Sequence, residues 1–175
     1  MTDPRYPVGP FIRRDQLSAE ERRTMIDAIA ATPQRLAAAI EGMTEEQLDT
    51  PYRDGGWTVR QVVHHLADSH MNAYMRLKLA LTEEEPVLRP YDEAAWAELE
   101  DARTMEPDVS VTLLRAIHLR FVSSLRSMDE RDFARTLRHP EHAGVLTIDW
   151  LVAMYSWHGR HHVAHITTLR ERMKR

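Results

Sequence analysis

The sequence predicts an all-α fold: a four-helix bundle with crossover connections and short extra helices between the long ones. Three observations carry this prediction. Helix-start signatures recur along the chain, and four long stretches repeat their apolar residues at helical intervals. The connections between those stretches are long enough to cross the bundle rather than turn straight back. A less regular all-α domain is the alternative, and strand content is expected to be minor.

Taken in order, Ser18-Ala19-Glu20-Glu21 is a capping box, in which Ser and Glu satisfy two free amides reciprocally. The helix it opens is expected to pause at Thr32-Pro33, because proline is tolerated in a first turn but not in an interior, and to resume to about Glu41 before Gly42. Thr44-Glu45-Glu46-Gln47 repeats the capping pattern for a short turn of helix. Thr58-Val59-Arg60-Gln61 is a third box and starts a helix through about Leu81, with Val59, Val62, Val63, Leu66, Ala73, Leu77 and Leu81 on one side. The acidic segment after Thr82 carries Pro86 and Pro90, and a shorter helix starts near Asp92. Ser110 is read as the cap of a helix whose Val111, Leu114, Ile117, Phe121 and Leu125 keep helical spacing. His139 to Gly144 reads as a turn or loop flanked by a small hairpin, and the final helix runs from about Thr147 to Arg172.

Composition narrows the function classes. The 175 residues form one expected domain, with residues 1–15 as an extended arm containing Pro4, Pro7 and Pro10. That arm has no apolar core of a signal peptide, and no apolar run is long enough to span a bilayer. Cysteine is absent, so disulfides and Cys-ligated zinc or iron–sulfur sites are excluded, and a reducing cytoplasm suits the chain. A net charge of −4 argues against nucleic acid as the main partner. The basic tail, Arg170 to Arg175, reads as a solvated helix end whose cations complement the helix dipole.

The histidines carry the functional signal. Four stand in the final helix, at His158, His161, His162 and His165, and His64, His65 and His70 stand in the helix from Thr58. At ~100° per residue, Leu151, Tyr155, Ile166, Leu169 and Met173 define the apolar side of the final helix, with Ser156, Arg160, Thr167 and Glu171 opposite. His162 falls near the centre of that side with His158 beside it, His165 close, and His161 toward one edge. His158 and His162 are an i, i+4 pair with Cβ atoms ~5–6 Å apart, which suits convergence on one ion. One inward histidine is usually a core residue with a hydrogen-bond partner, but several on one face need something to bind them all. No Glu follows His158, so this is not the His-Glu-x-x-His metalloprotease pattern. In the earlier helix His70 lies within the apolar side, His65 at its margin and His64 toward solvent. Spacing leaves His65 and His70 level as the third ligand. His118, His139 and His142 lack helical partners and are expected to be solvated. Trp57 reads as a staple or core residue that could also wall a pocket. Asp68, Glu141 and His165 are the residues that could act as a general base, and none is assigned that role.

Two segments resemble the DinB/YfiT-like family. Gly55-Gly56-Trp57-Thr58-Val59-Arg60-Gln61-Val62-Val63-His64-His65-Leu66-Ala67-Asp68-Ser69-His70 is similar to its first signature, with the Trp followed eight residues later by His-Leu-Ala-Asp as the most diagnostic part. Tyr155-Ser156-Trp157-His158-Gly159-Arg160-His161-His162 resembles its second motif, a His-x-x-x-His near the C-terminus. The likeness is closest to the YfiT-like branch and runs from about Tyr6 to the end. It implies a four-helix bundle of unusual connectivity with a three-histidine metal site, zinc first and nickel second. Matched motif to motif, the ligands are His65, His158 and His162, with His165 standing behind them where many relatives have Gln. For His65 the resemblance alone makes the choice. It further implies a homodimer acting on a small molecule. Three histidine ligands leave a position for water or substrate, and zinc so held lowers the pKa of its water toward ~7, polarises a carbonyl or activates a thiolate. The functions implied are therefore metal-dependent hydrolysis, transfer of a low-molecular-weight thiol such as bacillithiol or mycothiol, or metal binding without turnover.

Overall fold

The computed structural model describes residues 3–142 and 144–174. Its elements are α1 (Ala19–Ile40), α2 (Glu45–Leu48), α3 (Val59–Thr82), α4 (Glu93–Ala97), α5 (Glu100–Thr104), α6 (Pro107–Arg126), α7 (Glu130–Phe133), β1 (Thr136–Arg138), β2 (Val145–Thr147) and α8 (Ile148–Met173). The long helices α1, α3, α6 and α8 form the bundle. Helix α1 packs on α6 and α8, and α3 packs on the same two. Helices consecutive in the chain, α1 with α3 and α6 with α8, thus lie diagonally opposite, as crossover connections require. The strands form a single antiparallel hairpin with Leu137 opposite Leu146, beside the start of α8.

The three capping boxes form as expected, at Ser18/Glu21, Thr44/Gln47 and Thr58/Gln61. Asp92 caps α4 through the Ala95 amide at 2.9 Å. Three local readings change. Helix α6 starts at Pro107, where proline costs no hydrogen bond, and Ser110 lies inside it with its hydroxyl turned to His64. The short helices α5 and α7 carry too few residues to show a period. Helix α1 does not pause at Thr32-Pro33 but runs unbroken through the proline. Pro33 has no N–H to give the Ile29 carbonyl four residues back, and His118 Nδ1 reaches that oxygen at 2.8 Å from α6.

Two apolar clusters fill the bundle. One gathers Ile26, Ile29, Leu77, Phe121 and Leu151, with the hairpin's Leu137 and Leu146. The other gathers Leu36, Val62, Leu66, Leu114 and Ile166. On every long helix the residues between the two sets are polar or special: Thr32 and Pro33 on α1, His70 on α3, His118 on α6, and His158 to His165 on α8. The bundle therefore has a polar layer across its middle.

At that layer α1 and α8 approach closely. A Cβ on Gly159 would lie 2.6 Å from Thr32 Oγ1, itself bonded to the Ala28 carbonyl. Ser156, three residues earlier on the same face, is buried rather than solvated for the same reason: that face meets α1. At the end of the bundle, Arg22 grips Asp149 through Nε at 2.8 Å and Nη2 at 3.0 Å, both residues being buried. Arg170 donates to the Ala39 and Glu41 carbonyls at 3.0 and 2.7 Å, so part of the basic tail caps α1. Gly159→Ala is expected to cost about 1–3 kcal/mol of stability by overpacking. Chemical denaturation checks this: the double variant with Thr32→Ala should recover most of the loss, and no loss in the single variant would refute the close approach.

Candidate metal centre

Thr58 starts α3 and so sets the phase that turns His65 and His70 toward α8. From α8, His158 and His162 meet them across the bundle. Nε2 of His65 lies 3.2 Å from Nε2 of His158. His65, His158 and His162 each offer a ring nitrogen, all within 4.8 Å of one another. Two nitrogens ~2.05 Å from one tetrahedral ion sit about 3.3 Å apart, so the His65–His158 spacing is that of two ligands on one cation. Burial keeps all three rings neutral: the pKa of His65 falls to about 4, and those of His158 and His162 fall well below 6.5. Neutral imidazole is the form that binds a metal.

The three histidines stand on the wall of a cavity of about 310 Å³. Trp57, Arg76, Tyr91, Glu93, Glu141 and Tyr155 also line it, and Trp57 lies 4.6 Å ring to ring from His65. Trp57 thus packs against the second apolar cluster and walls the cavity at once. Larger clefts of about 570 and 880 Å³ include none of the three histidines.

The chain matches the model of the DinB superfamily over residues 28–166. The chain belongs to the DinB superfamily. It is similar to YfiT of Bacillus subtilis, 50% identical over 168 residues that cover 96% of this chain and 94% of that one. A Bacillus cereus relative (strain 03BB102), named in the same way as a metal-dependent hydrolase, is 49% identical over 173 residues, covering 99% of both chains. The solved structure of YfiT, described as a probable metal-dependent hydrolase with an unusual four-helix bundle topology, superposes with a TM-score of 0.96 at 48% identity over 99% of both chains.

In this DinB superfamily chain a divalent ion suits the donor set. Three neutral ring nitrogens converge within ligand distance of one another, and Nδ1 of His162, like those of His161 and His165, is buried with no hydrogen-bond partner. A second group, His161, His162 and His165, also brings three ring nitrogens within 4.8 Å. It shares His162 with the first, but His161 and His165 do not line the cavity. Trp157 stacks on His161 at 4.3 Å and Tyr52 on His165 at 4.0 Å, while His165 Nε2 donates to the Arg5 carbonyl at 3.3 Å. The N-terminal arm closes over this side, with the Gly9 carbonyl accepting from Trp157 Nε1 at 3.0 Å.

Several histidines lie where spacing did not place them. His64 is buried rather than solvated: its Nε2 donates to the Met105 carbonyl at 3.0 Å and its Nδ1 accepts from the Ser110 hydroxyl at 2.7 Å. His118 is buried against α1 and α3. His139 is buried and accepts from Arg76 Nη2 at 3.3 Å; His142 packs its ring 5.1 Å from Trp150, and both line the cavity. No spacing rule could find the last two, because a loop brings them in. Arg76 carries no motif or spacing in the sequence that marks it as a site residue. Of the groups considered as a general base, Glu141 lines the cavity, whereas Asp68 and His165 do not.

The buried imidazoles make stability depend on pH. The pKa of His118, like those of His161 and His165, falls from 6.5 to about 4, chiefly through burial. A base depressed by folding contributes stability that is complete above the unfolded value and is lost as pH falls through the folded one. The metal-free protein is therefore expected to lose stability steadily from pH 6.5 toward 4; a urea midpoint unchanged over that range would contradict neutral burial. Asp68 runs the other way, because burial raises its pKa to about 6 and its charge becomes costly as pH rises past that value. Asp68→Asn should raise the midpoint at pH 8 and not at pH 4.

Proposed function

We propose that this chain is a metal-dependent hydrolase of a small molecule, with one divalent ion, zinc first and nickel second, held by His65, His158 and His162. The observation that carries the reading is the 3.2 Å approach of the His65 and His158 Nε2 atoms on the wall of a solvent-reached cavity, with His162 beside them. An ion there would supply Lewis-acid polarisation and would lower the pKa of a bound water toward ~7. The names given to the relatives, metal-dependent hydrolases, support the hydrolytic reading. A site reached by a cavity favours turnover over a purely structural ion, because structural sites are closed by protein ligands.

The remaining wall suits a polar substrate of modest size. Arg76 donates to the Tyr155 hydroxyl at 3.3 Å and faces His139 at 3.3 Å, and among the described residues no carboxylate pairs with it. Its charge is left to hold a substrate oxygen, while Trp57 and Tyr91 offer apolar faces and restrict water. Glu93 and Glu141 are the carboxylates on the same wall, placed to accept protons. The cavity volume lies at the low end for small-molecule sites, which limits the substrate to a compact molecule.

Alanine at His65, His158 or His162 should each abolish metal binding and activity. Alanine at His161 should leave one ion per chain. Metal analysis of the purified variants, followed by assays of ester and amide cleavage with and without added thiol, checks this. Retention of the ion by all three variants would overturn the ligand set. Strict dependence on a thiol that ends up joined to the substrate would replace hydrolysis by thiol transfer while leaving the metal centre intact.

A further inference from the structure

We propose that Pro33, His118 and His70 form a positioning relay that fixes His158 in the one tautomer whose Nε2 lone pair faces His65. What that lone pair holds rests on the metal-centre reading above. The lone pair itself rests on hydrogen-bond directions alone.

The chain of bonds begins at α1. Pro33 interrupts the helical ladder at the Ile29 carbonyl, which has no donor four residues on. His118 Nδ1 lies 2.8 Å from that oxygen. A carbonyl only accepts, so His118 carries its proton on Nδ1 and, being neutral, presents a lone pair at Nε2. His70 Nδ1 stands 2.8 Å from that lone pair and must donate, which leaves His70 with a lone pair at Nε2. His158 Nδ1 stands 3.3 Å from that second lone pair and donates in turn. Nε2 of His158 is then bare, 3.2 Å from Nε2 of His65.

Three neutral imidazoles in a row can be bonded in either direction, and each direction satisfies the two inner contacts equally well. The end of the row decides. Reversal would set the His118 Nδ1 lone pair against the Ile29 oxygen and place a proton on His158 Nε2, where a cation is to be bound. The proline sharpens the decision, because with no N–H at position 33 the Ile29 carbonyl depends on His118 for the donor that the helix ladder does not give it. His70 and His118 are almost wholly inaccessible, at 0% and 2% exposure, so bulk water does not compete for these bonds. The relay also holds its rings in place: His70 lies 4.8 Å from His118 and 5.3 Å from His158, ring to ring. A metal-bound histidine is commonly oriented by a carbonyl or carboxylate on its other nitrogen. Here the carbonyl acts at a distance, through two further imidazoles.

The test begins with the metal-free, ¹⁵N-labelled full chain at pH 8. Long-range ¹H–¹⁵N correlations through the ring carbons report the tautomer of each histidine. His118, His70 and His158 should all be in the Nδ1–H form, the opposite of the form that free histidine favours in water. Nε2–H at His70 or His158 would overturn the relay, whatever the metal result. The second measurement is zinc affinity, by competition with a chromophoric chelator, for the wild type, His118→Phe and His118→Gln. Phenylalanine keeps an aromatic ring but removes both bonds, and the affinity should fall about 10–100-fold with mixed tautomers at His70 and His158. Glutamine has an amide N–H for the Ile29 carbonyl and an amide oxygen for His70, so it should recover part of both. A folded His118→Phe with wild-type affinity would refute the positioning role, and if that variant fails to fold, the wild-type tautomers decide. A wild type that shows all three tautomers but binds no zinc keeps the relay and sinks the metal-centre reading instead.

Discussion

A neutral imidazole buried in a protein has two ring nitrogens to satisfy and one proton with which to do it, and the middle of this bundle is arranged around that constraint. Apolar packing above and below the layer is interchangeable in kind, with Leu, Ile, Val and Ala in both clusters. The layer itself is not interchangeable. A ring in it is fully satisfied only by an acceptor on one side and a donor or a cation on the other, and where ring bonds to ring each choice of proton position propagates to the next. Where the partners are a carbonyl and two more rings, the result is a directed chain. Where lone pairs converge, as at His65 and His158, only a shared proton or a cation resolves the contact.

This explains how much of the site was legible in the sequence. His158 and His162 are i, i+4 neighbours on the apolar side of a long helix, so periodicity alone brings them together. His65 was not legible in that way. It sits at the margin of its helix, and geometry gave equal weight to His70, which is the deeper of the two. The structure gives both a place: His65 faces the cavity and His158, while His70 stands behind His158 and bonds it from the core side. Family resemblance separated them because it compares positions, whereas helical spacing compares only faces. His118 was illegible because its partners lie on α1 and α3, remote in sequence, and its own helix shows no second histidine at helical spacing.

The fold was more legible than the site, for a related reason. Capping boxes and apolar periods are local, and they predicted the four long helices and the short turn after Thr44; turn residues, equally local, predicted the small hairpin. What failed were inferences that a face without tertiary neighbours would be wet. Ser156 is covered by the approach of α1, permitted by Gly159. His64, read as facing solvent, is covered by Ser110 and the Met105 carbonyl. A helix covered on most sides keeps only a thin polar stripe, here Arg160 and Glu171, so a residue such as Ser156 in line with it can still be buried.

Pro33 shows how a local rule can fail for a reason that the fold supplies. An interior proline costs a helix about 3 kcal/mol, partly through the carbonyl it leaves without a donor and partly through its ring. The sequence alone offers no remedy, so a break is the sound expectation. In the folded bundle the orphaned carbonyl lies against a histidine that has its own problem, a buried N–H in need of an acceptor. Each group offsets the hydrogen-bond part of the other's penalty, and α1 continues through the layer. Its continuity matters on the far side as well, because Thr32, the residue before the proline, is the surface on which Gly159 rests next to His158. A break at this point would therefore disturb the placement of α8 and the direction of the histidine chain together. The helix imperfection and the order of the proposed metal centre are thus two consequences of one hydrogen bond.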